Sequence, residues 1–175
     1  MNKDRFIEEV ESLGIEITDK KLEQLEKYYA LLIEYNKVMN LTGITEKEEV
    51  YLKHFYDSLA ISKIIDLNNE NSLCDLGSGA GFPGIVIKIF YPQLEIVLVD
   101  SLNKRINFLN TVIKKLDLEK ITAMHSRIEE YAVENKEQFD IVTARAVAPL
   151  NILLELGINL VKVGKYFIEI GRAHV

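Results

Sequence analysis

The chain has 175 residues, of which 48% are hydrophobic, and a formal net charge of −6. That apolar content suits one folded core and excludes a disordered polypeptide. No window reaches the roughly eighteen apolar residues of a membrane span, and the start MNKDRFIEEV lacks the apolar segment of a secretory signal, so the expected location is the cytoplasm.

Residues 3–62 read as helical, with no period-two stretch. Thr18 or Asp19 is placed to cap a helix in which Leu22, Leu25, Tyr29, Leu32, Ile33 and Met39 recur at threes and fours, giving one apolar stripe. Asn40 to Thr42 reads as the end of that helix. In K-H-F-Y-D-S-L, from Lys53 to Leu59, the spacing sets His54, Asp57 and Ser58 about one helical turn apart. His54 there is either part of a hydrogen-bonded cluster that docks the helices or an RNA contact.

The polar break Asn68, Asn69, Glu70, Asn71 separates this helical extension, residues 1–68, from a core over residues 69–168. Strands are expected at Leu73 to Leu76, Glu95 to Asp100, Ile121 to Met124, Phe139 to Thr143 and Lys165 to Ile168, with helices after the first four. Apolar strands alternating with helices imply a doubly wound α/β sheet, mostly parallel and covered on both faces. Ligands of such sheets bind beyond the carboxyl ends of the strands. Asp75 with Gly77, Asp100, Ile128 with Glu129, and Arg145 end or follow successive strands and would line that edge.

LCDLGSGAGFPG, from Leu73 to Gly84, is the most informative segment, a strand running through a glycine-rich turn into a helix. Gly79, Gly81 and Gly84 fit the G-x-G-x-x-G of a dinucleotide site, with Asp100 ending the next strand. A carboxylate at Asp75, two residues before the first glycine, would repel a pyrophosphate. It suits S-adenosylmethionine (AdoMet), whose sulfonium and amino groups are cationic. Asp100 can accept hydrogen bonds from both ribose hydroxyls, or can cap the next helix. Cys74 cannot form an internal disulfide and reads as a small core residue. One cysteine and three scattered histidines give no zinc set.

N-L-T at Asn40 to Thr42, K-H-F-Y-D-S-L, G-S-G-A-G-F-P-G-I, L-V-D-S-L-N-K-R-I-N-F-L from Leu98 to Leu109, S-R-I-E-E from Ser126 and T-A-R-A from Thr143 to Ala146 follow one another in the order of a single family. The chain resembles, over about residues 5 to 168, the RsmG (GidB) family of class I AdoMet methyltransferases. One departure is Lys53, where the family usually has Arg; the charge is kept and the planar fork lost. The resemblance implies a Rossmann-like sheet of seven strands whose last two are missing here, and Glu169 to Val175 read as a non-native tail. It implies methyl transfer from AdoMet to nitrogen 7 of a guanine in 16S ribosomal RNA. The partner would be that RNA or the small ribosomal subunit, with the enzyme a monomer and no metal used. It places Gly77, Phe82, Ile128, Glu129 and Arg145 at the cofactor, beside Asp75, Gly79 and Asp100. Glu129 could instead favour a helix start, and Arg145 could face the guanine or a phosphate. Lys104 and Arg105 could meet rRNA phosphates or balance Asp100. The acidic balance argues against a long phosphate track, leaving a local basic patch. Two other readings stay open, a methyltransferase of this fold acting on a small molecule or protein and a non-enzymatic NAD-binding module.

Overall fold

The computed structural model describes residues 1–145 and 149–171. Its sheet, among the described residues, has five parallel strands, β1 (Ser72–Leu76), β2 (Glu95–Asp100), β3 (Ile121–His125), β4 (Phe139–Arg145) and β5 (Val161–Ile170), in the order β3-β2-β1-β4-β5. The order reverses between β1 and β4. Their carboxyl ends therefore diverge into a crevice, the usual ligand position in open α/β sheets.

Two short helices and one long one, α1 (Lys3–Ser12), α2 (Asp19–Met39) and α3 (Lys47–Val50), form the helical cap; α3 runs on through a π-helical turn, Tyr51–Tyr56, into α4 (Asp57–Leu59). Thr18 Oγ1 accepts the Lys21 amide at 3.3 Å, the expected cap of α2. The helix ends where Asn40 turns left-handed at φ 48°. Its buried stripe is Leu25, Tyr28 and Leu32, with Tyr29 and Met39 only partly covered. Tyr28, not the expected Tyr29, is the buried tyrosine. Tyr28 takes the inner place because its hydroxyl has a buried acceptor, the carbonyl of Ala80, and a buried phenol needs such a partner. Gln24 Nε2 donates to the Leu116 carbonyl at 2.8 Å, a second polar tie from α2. Phe6, Tyr28, Tyr51, Phe55 and Phe82 join cap and sheet in one apolar core.

The helices on the sheet are α5 (Gly84–Phe90), α6 (Asn103–Lys115), α7 (Ile128–Glu134) and α8 (Leu150–Gly157). Every residue of α5 is buried, because the cap covers the side that the sheet leaves open. Lys88 on α5 is satisfied by the carbonyls of Pro92 and Leu94, and burial lowers its ammonium to about 8.

β2 has the expected limits, whereas β5 is longer than expected. Gly164 at φ +78° accompanies a register shift, so Val161 pairs with Phe139 and Tyr166 with Ile141. Glu169 and Ile170 pair with Ala144 and Arg145, so the boundary expected at residue 168 falls inside a strand; 172–175 lie outside the described residues. At the amino edge of the sheet, Asp140 accepts the amides of Asn71 (2.8 Å) and Ser72 (3.2 Å) and pairs with Lys162 at 3.0 Å. Burial opposes the charge on Asp140, yet these donors hold its carboxyl below the usual range.

Candidate active site

The glycine turn is held in place from three directions. Ser78 N–H donates to the Val99 carbonyl (3.0 Å), Gly79 N–H to Asp100 Oδ2 (2.9 Å), and the Tyr28 hydroxyl to the Ala80 carbonyl. Its glycines serve two purposes. A Cβ on Gly81 would lie 2.6 Å from Ile85 and 2.7 Å from the Tyr28 hydroxyl, and one on Gly84 would lie 2.3 Å from Leu98. These two permit close packing. Gly77 and Gly79, at φ 65° and 57°, line a cavity, and a Cβ on Gly79 would meet only the Gly77 oxygen, 3.9 Å away. Only glycine keeps that turn left-handed and bare of side chains.

The cavity, about 780 Å³, opens at the carboxyl edge of β1, β2 and β4. Such a volume falls within the roughly 300–1,000 Å³ of small-molecule sites. Gly77, Gly79, Phe82, Asp100, Arg105, Ile128, Glu129, Arg145 and His54 all line it. The structure thus brings together most of the residues singled out from the sequence. Asp75 and Lys104 are not among them.

Asp75 lies beneath the turn, fully buried, with Oδ2 accepting the Gly84 amide at 3.0 Å and Oδ1 the Thr143 hydroxyl at 3.3 Å. A carboxylate turned toward the start of α5 anchors the turn rather than facing a ligand. Burial pushes its carboxyl up to about 7 against these two donors. Asp100, also buried, accepts the Leu102 amide on Oδ1 (3.0 Å) and the Gly79 amide on Oδ2, with Arg105 3.5 Å away. A carboxylate has about four acceptor positions, and Oδ1, which takes the Leu102 amide alone, keeps one for a ligand in the cavity that Asp100 lines. Asp100 does not cap α6; Leu102 holds that position. Arg105 balances Asp100, while Lys104 is exposed on α6.

The opposite wall is made by the cap, β4 and α8. The His54 ring stacks on Phe82, with centroids 4.4 Å apart and planes at 12°, and is 6% exposed. His54 is thus buried in the cavity wall rather than set on the outer surface. Its Nε2 lies 2.9 Å from Thr42 Oγ1 and its Nδ1 3.0 Å from Arg145 Nη2. Arg145 also donates to the Lys53 carbonyl (2.8 Å), lies 3.9 Å from Asp57, and sits 5.9 Å over the Phe82 ring. Arg127, Ile152, Leu153 and Leu156 line the cavity too, the last three with no sign of it in the sequence. The α8 residues carry no local signature; only the chain's return over β4 brings them here. Ala146, the last residue of T-A-R-A, lies outside the described residues.

A parallel five-stranded sheet, a bare glycine turn after its first strand and a carboxylate ending its second place this protein among the Rossmann-like methyltransferase folds. Solved structures agree on the fold: a putative caffeoyl-CoA O-methyltransferase from Staphylococcus aureus superposes with a TM-score of 0.58 at 17% identity, covering 86% of this chain and 72% of that one. The SAM dependent methyltransferase from Aquifex aeolicus gives 0.52 at 18% identity, over 71% of this chain and 66% of that one. The GidB family, described as rRNA small subunit methyltransferase G, matches residues 21–173. The Ribosomal RNA small subunit methyltransferase G of Lysinibacillus sphaericus is 49% identical over 99% of this chain and 74% of its own length. The protein of that name from Lachnoclostridium phytofermentans is 54% identical over 93% of this chain and 68% of its own. The chain belongs to the GidB family of small-subunit rRNA methyltransferases.

Proposed function

We propose that the protein transfers the methyl group of AdoMet to nitrogen 7 of a guanine in 16S ribosomal RNA, working as a monomer in the cytoplasm. The observation that carries this reading is the Asp100-tied glycine turn opening on the cavity, in a chain about half identical to proteins named for rRNA methylation. No described helix is long and apolar enough to cross a membrane.

The cavity fits AdoMet on its own terms. Gly77 and Gly79 present bare main chain to the methionine end. Asp100 Oδ1 keeps an acceptor position for a ribose hydroxyl, and Ile128 with Glu129 lies where the adenine would rest. Asp75 contributes from below by fixing the turn. The same contact speaks against a dinucleotide. A pyrophosphate would need the amides at the start of α5, yet the Gly84 amide is already given to a buried carboxylate.

AdoMet supplies an electrophilic methyl group on a sulfonium. Guanine nitrogen 7 brings a free lone pair and no proton to remove, so no general base is demanded. The protein's work is alignment and exclusion of water. Arg145, on the wall opposite Gly77 and Gly79, orients the acceptor base, the guanidinium having the geometry to donate to a base edge, while Phe82, within the turn itself, closes over the cofactor. Phosphate contacts fall to exposed Lys104 and Arg127 and to Arg105 at the cavity lip. An unpaired or extruded guanine would then enter from the α8 side.

The test is incubation of the purified protein with unmethylated small ribosomal subunits and labelled AdoMet, followed by digestion and mass spectrometry of the 16S RNA. A new 7-methylguanosine is expected. RNA left unlabelled while AdoMet is bound would point to a small-molecule or protein acceptor instead.

A further inference from the structure

The polar chain joining the cap to the sheet runs through four side chains from three separate segments. Asn36 on α2 clamps Thr42 from both sides, its Oδ1 accepting the Thr42 amide and its Nδ2 donating to the Thr42 carbonyl, each at 2.9 Å. Thr42 Oγ1 in turn accepts the Ile44 amide at 3.0 Å and faces His54 Nε2. A guanidinium only donates hydrogen bonds, so His54 Nδ1 must accept from Arg145. The ring hydrogen therefore sits on Nε2 and is donated to Thr42, a tautomer assigned from the network. Stacking on Phe82 fixes the plane of the ring.

From this we propose that Thr42 and His54 are positioning residues for Arg145, setting the direction of its guanidinium at the acceptor side of the cavity. The inference rests on the role given to Arg145 above. Arg145 ends β4, and its Nη2 is claimed twice by the π-helical turn, through the Lys53 carbonyl and His54 Nδ1. Both acceptors come from adjacent residues of one turn, a local widening of the helix of the kind that concentrates at functional sites. Asn36 and Thr42 keep the far side of the imidazole from rotating. Without them the guanidinium would still be charged, but its aim would be lost, and misplacement by about 1 Å costs roughly 100-fold in rate.

The test compares His54→Phe, His54→Asn, Thr42→Val and Arg145→Ala, each as full chain, by methyl transfer to unmethylated small subunits and by AdoMet calorimetry. His54→Phe keeps the ring against Phe82 and loses the acceptor. His54→Asn returns an acceptor oxygen near the Nδ1 position. We expect Arg145→Ala and His54→Phe to lower kcat by roughly 10- to 100-fold with AdoMet affinity kept within about 3-fold. Thr42→Val should fall between them and wild type, and His54→Asn should recover most of the loss. The double variant His54→Phe/Arg145→Ala should be no slower than Arg145→Ala alone, since both act on one group.

Full turnover in His54→Phe and Thr42→Val beside a slow Arg145→Ala would overturn the positioning role while sparing the function assigned to Arg145. Full turnover in Arg145→Ala would remove that function itself. If His54→Phe fails to fold, Thr42→Val and His54→Asn decide: a slow His54→Asn with normal AdoMet binding, or AdoMet affinity falling in step with kcat in Thr42→Val, would reduce the chain to a structural tie.

Discussion

The two walls of the cavity are built from different materials. On the β1–β2 side the surface is main chain at Gly77 and Gly79, tied from behind by the buried carboxylates of Asp75 and Asp100. On the cap side it is side chain, with Phe82 and His54 stacked, Arg145 crossing from β4, and Ile152, Leu153 and Leu156 from α8. The main-chain wall must stay bare where a ligand lies against it, with Asp100, Ile128 and Glu129 beside it to supply side-chain contacts. A side-chain wall depends on several distant segments meeting correctly. The first suits a constant cofactor and the second a particular acceptor.

Gly84→Val should break the main-chain wall most severely. Its Cβ would meet Leu98 at 2.3 Å and Asp75 Oδ2 at 2.8 Å inside a fully buried helix. A loss of about 3 kcal/mol, typical of an overpacked core, should appear in thermal unfolding, with AdoMet binding abolished. A melting temperature equal to wild type would show that the turn is looser than described.

On the other wall, Arg145→Ala should lower turnover by roughly 100-fold, the scale for losing one oriented donor, with AdoMet affinity nearly unchanged. If calorimetry showed affinity falling as far as turnover, the separation of cofactor wall from acceptor wall would fail. Gly79→Ala tests the boundary between packing and binding. Space is open around its Cβ, so the fold should lose only about 1 kcal/mol from the left-handed backbone, while AdoMet affinity drops by about 10-fold or more. Equal binding by this variant would mean the ligand does not lie against the turn.

The smallest effect concerns Asp75. Its carboxyl, pushed up to about 7 by burial, keeps in the folded protein a proton that the unfolded chain releases near pH 4. The folded state binds more protons between those values, so this group's contribution is full below about pH 4 and is lost as pH rises through about 7. Asp75→Asn can still accept from Gly84 and donate to the Thr143 oxygen. Denaturant titrations should therefore show wild type losing stability relative to Asp75→Asn as pH rises across that window. A constant difference would place an ionised carboxylate in the fold throughout.

How much could be read from the sequence divides along the same line. The Thr18 cap, the limits of β2, the glycine turn and the Asp100 carboxylate are local signals, each written within a few neighbouring residues. Tyr28 and Tyr29 satisfy the helical period equally, and what separates them is tertiary: Tyr28 meets the buried Ala80 carbonyl and packs on Phe55 and Phe82, whereas Tyr29 meets the exposed Thr45 carbonyl. Asp75 was identified as a carboxylate that matters, but its orientation depends on where Gly84 and Thr143 come to lie. His54 lies one helical turn before Asp57 and Ser58, and the Ser58 hydroxyl donates to its carbonyl. Its partners, Thr42 and Arg145, are 12 and 91 residues away. No spacing rule reaches that far.

The hydrogen bond from Tyr28 to the Ala80 carbonyl has one more implication, for the order of assembly. It joins positions 52 residues apart, across the gap between the helical extension and the sheet. The helices are complete in sequence before the glycine turn has been synthesised, and cannot bury Tyr28 until the turn arrives to accept its hydroxyl. Arg145 must then follow to meet His54. The cap is thus finished by residues that lie far beyond it in the chain, and the cleft has its full wall only with the fourth strand in the sheet.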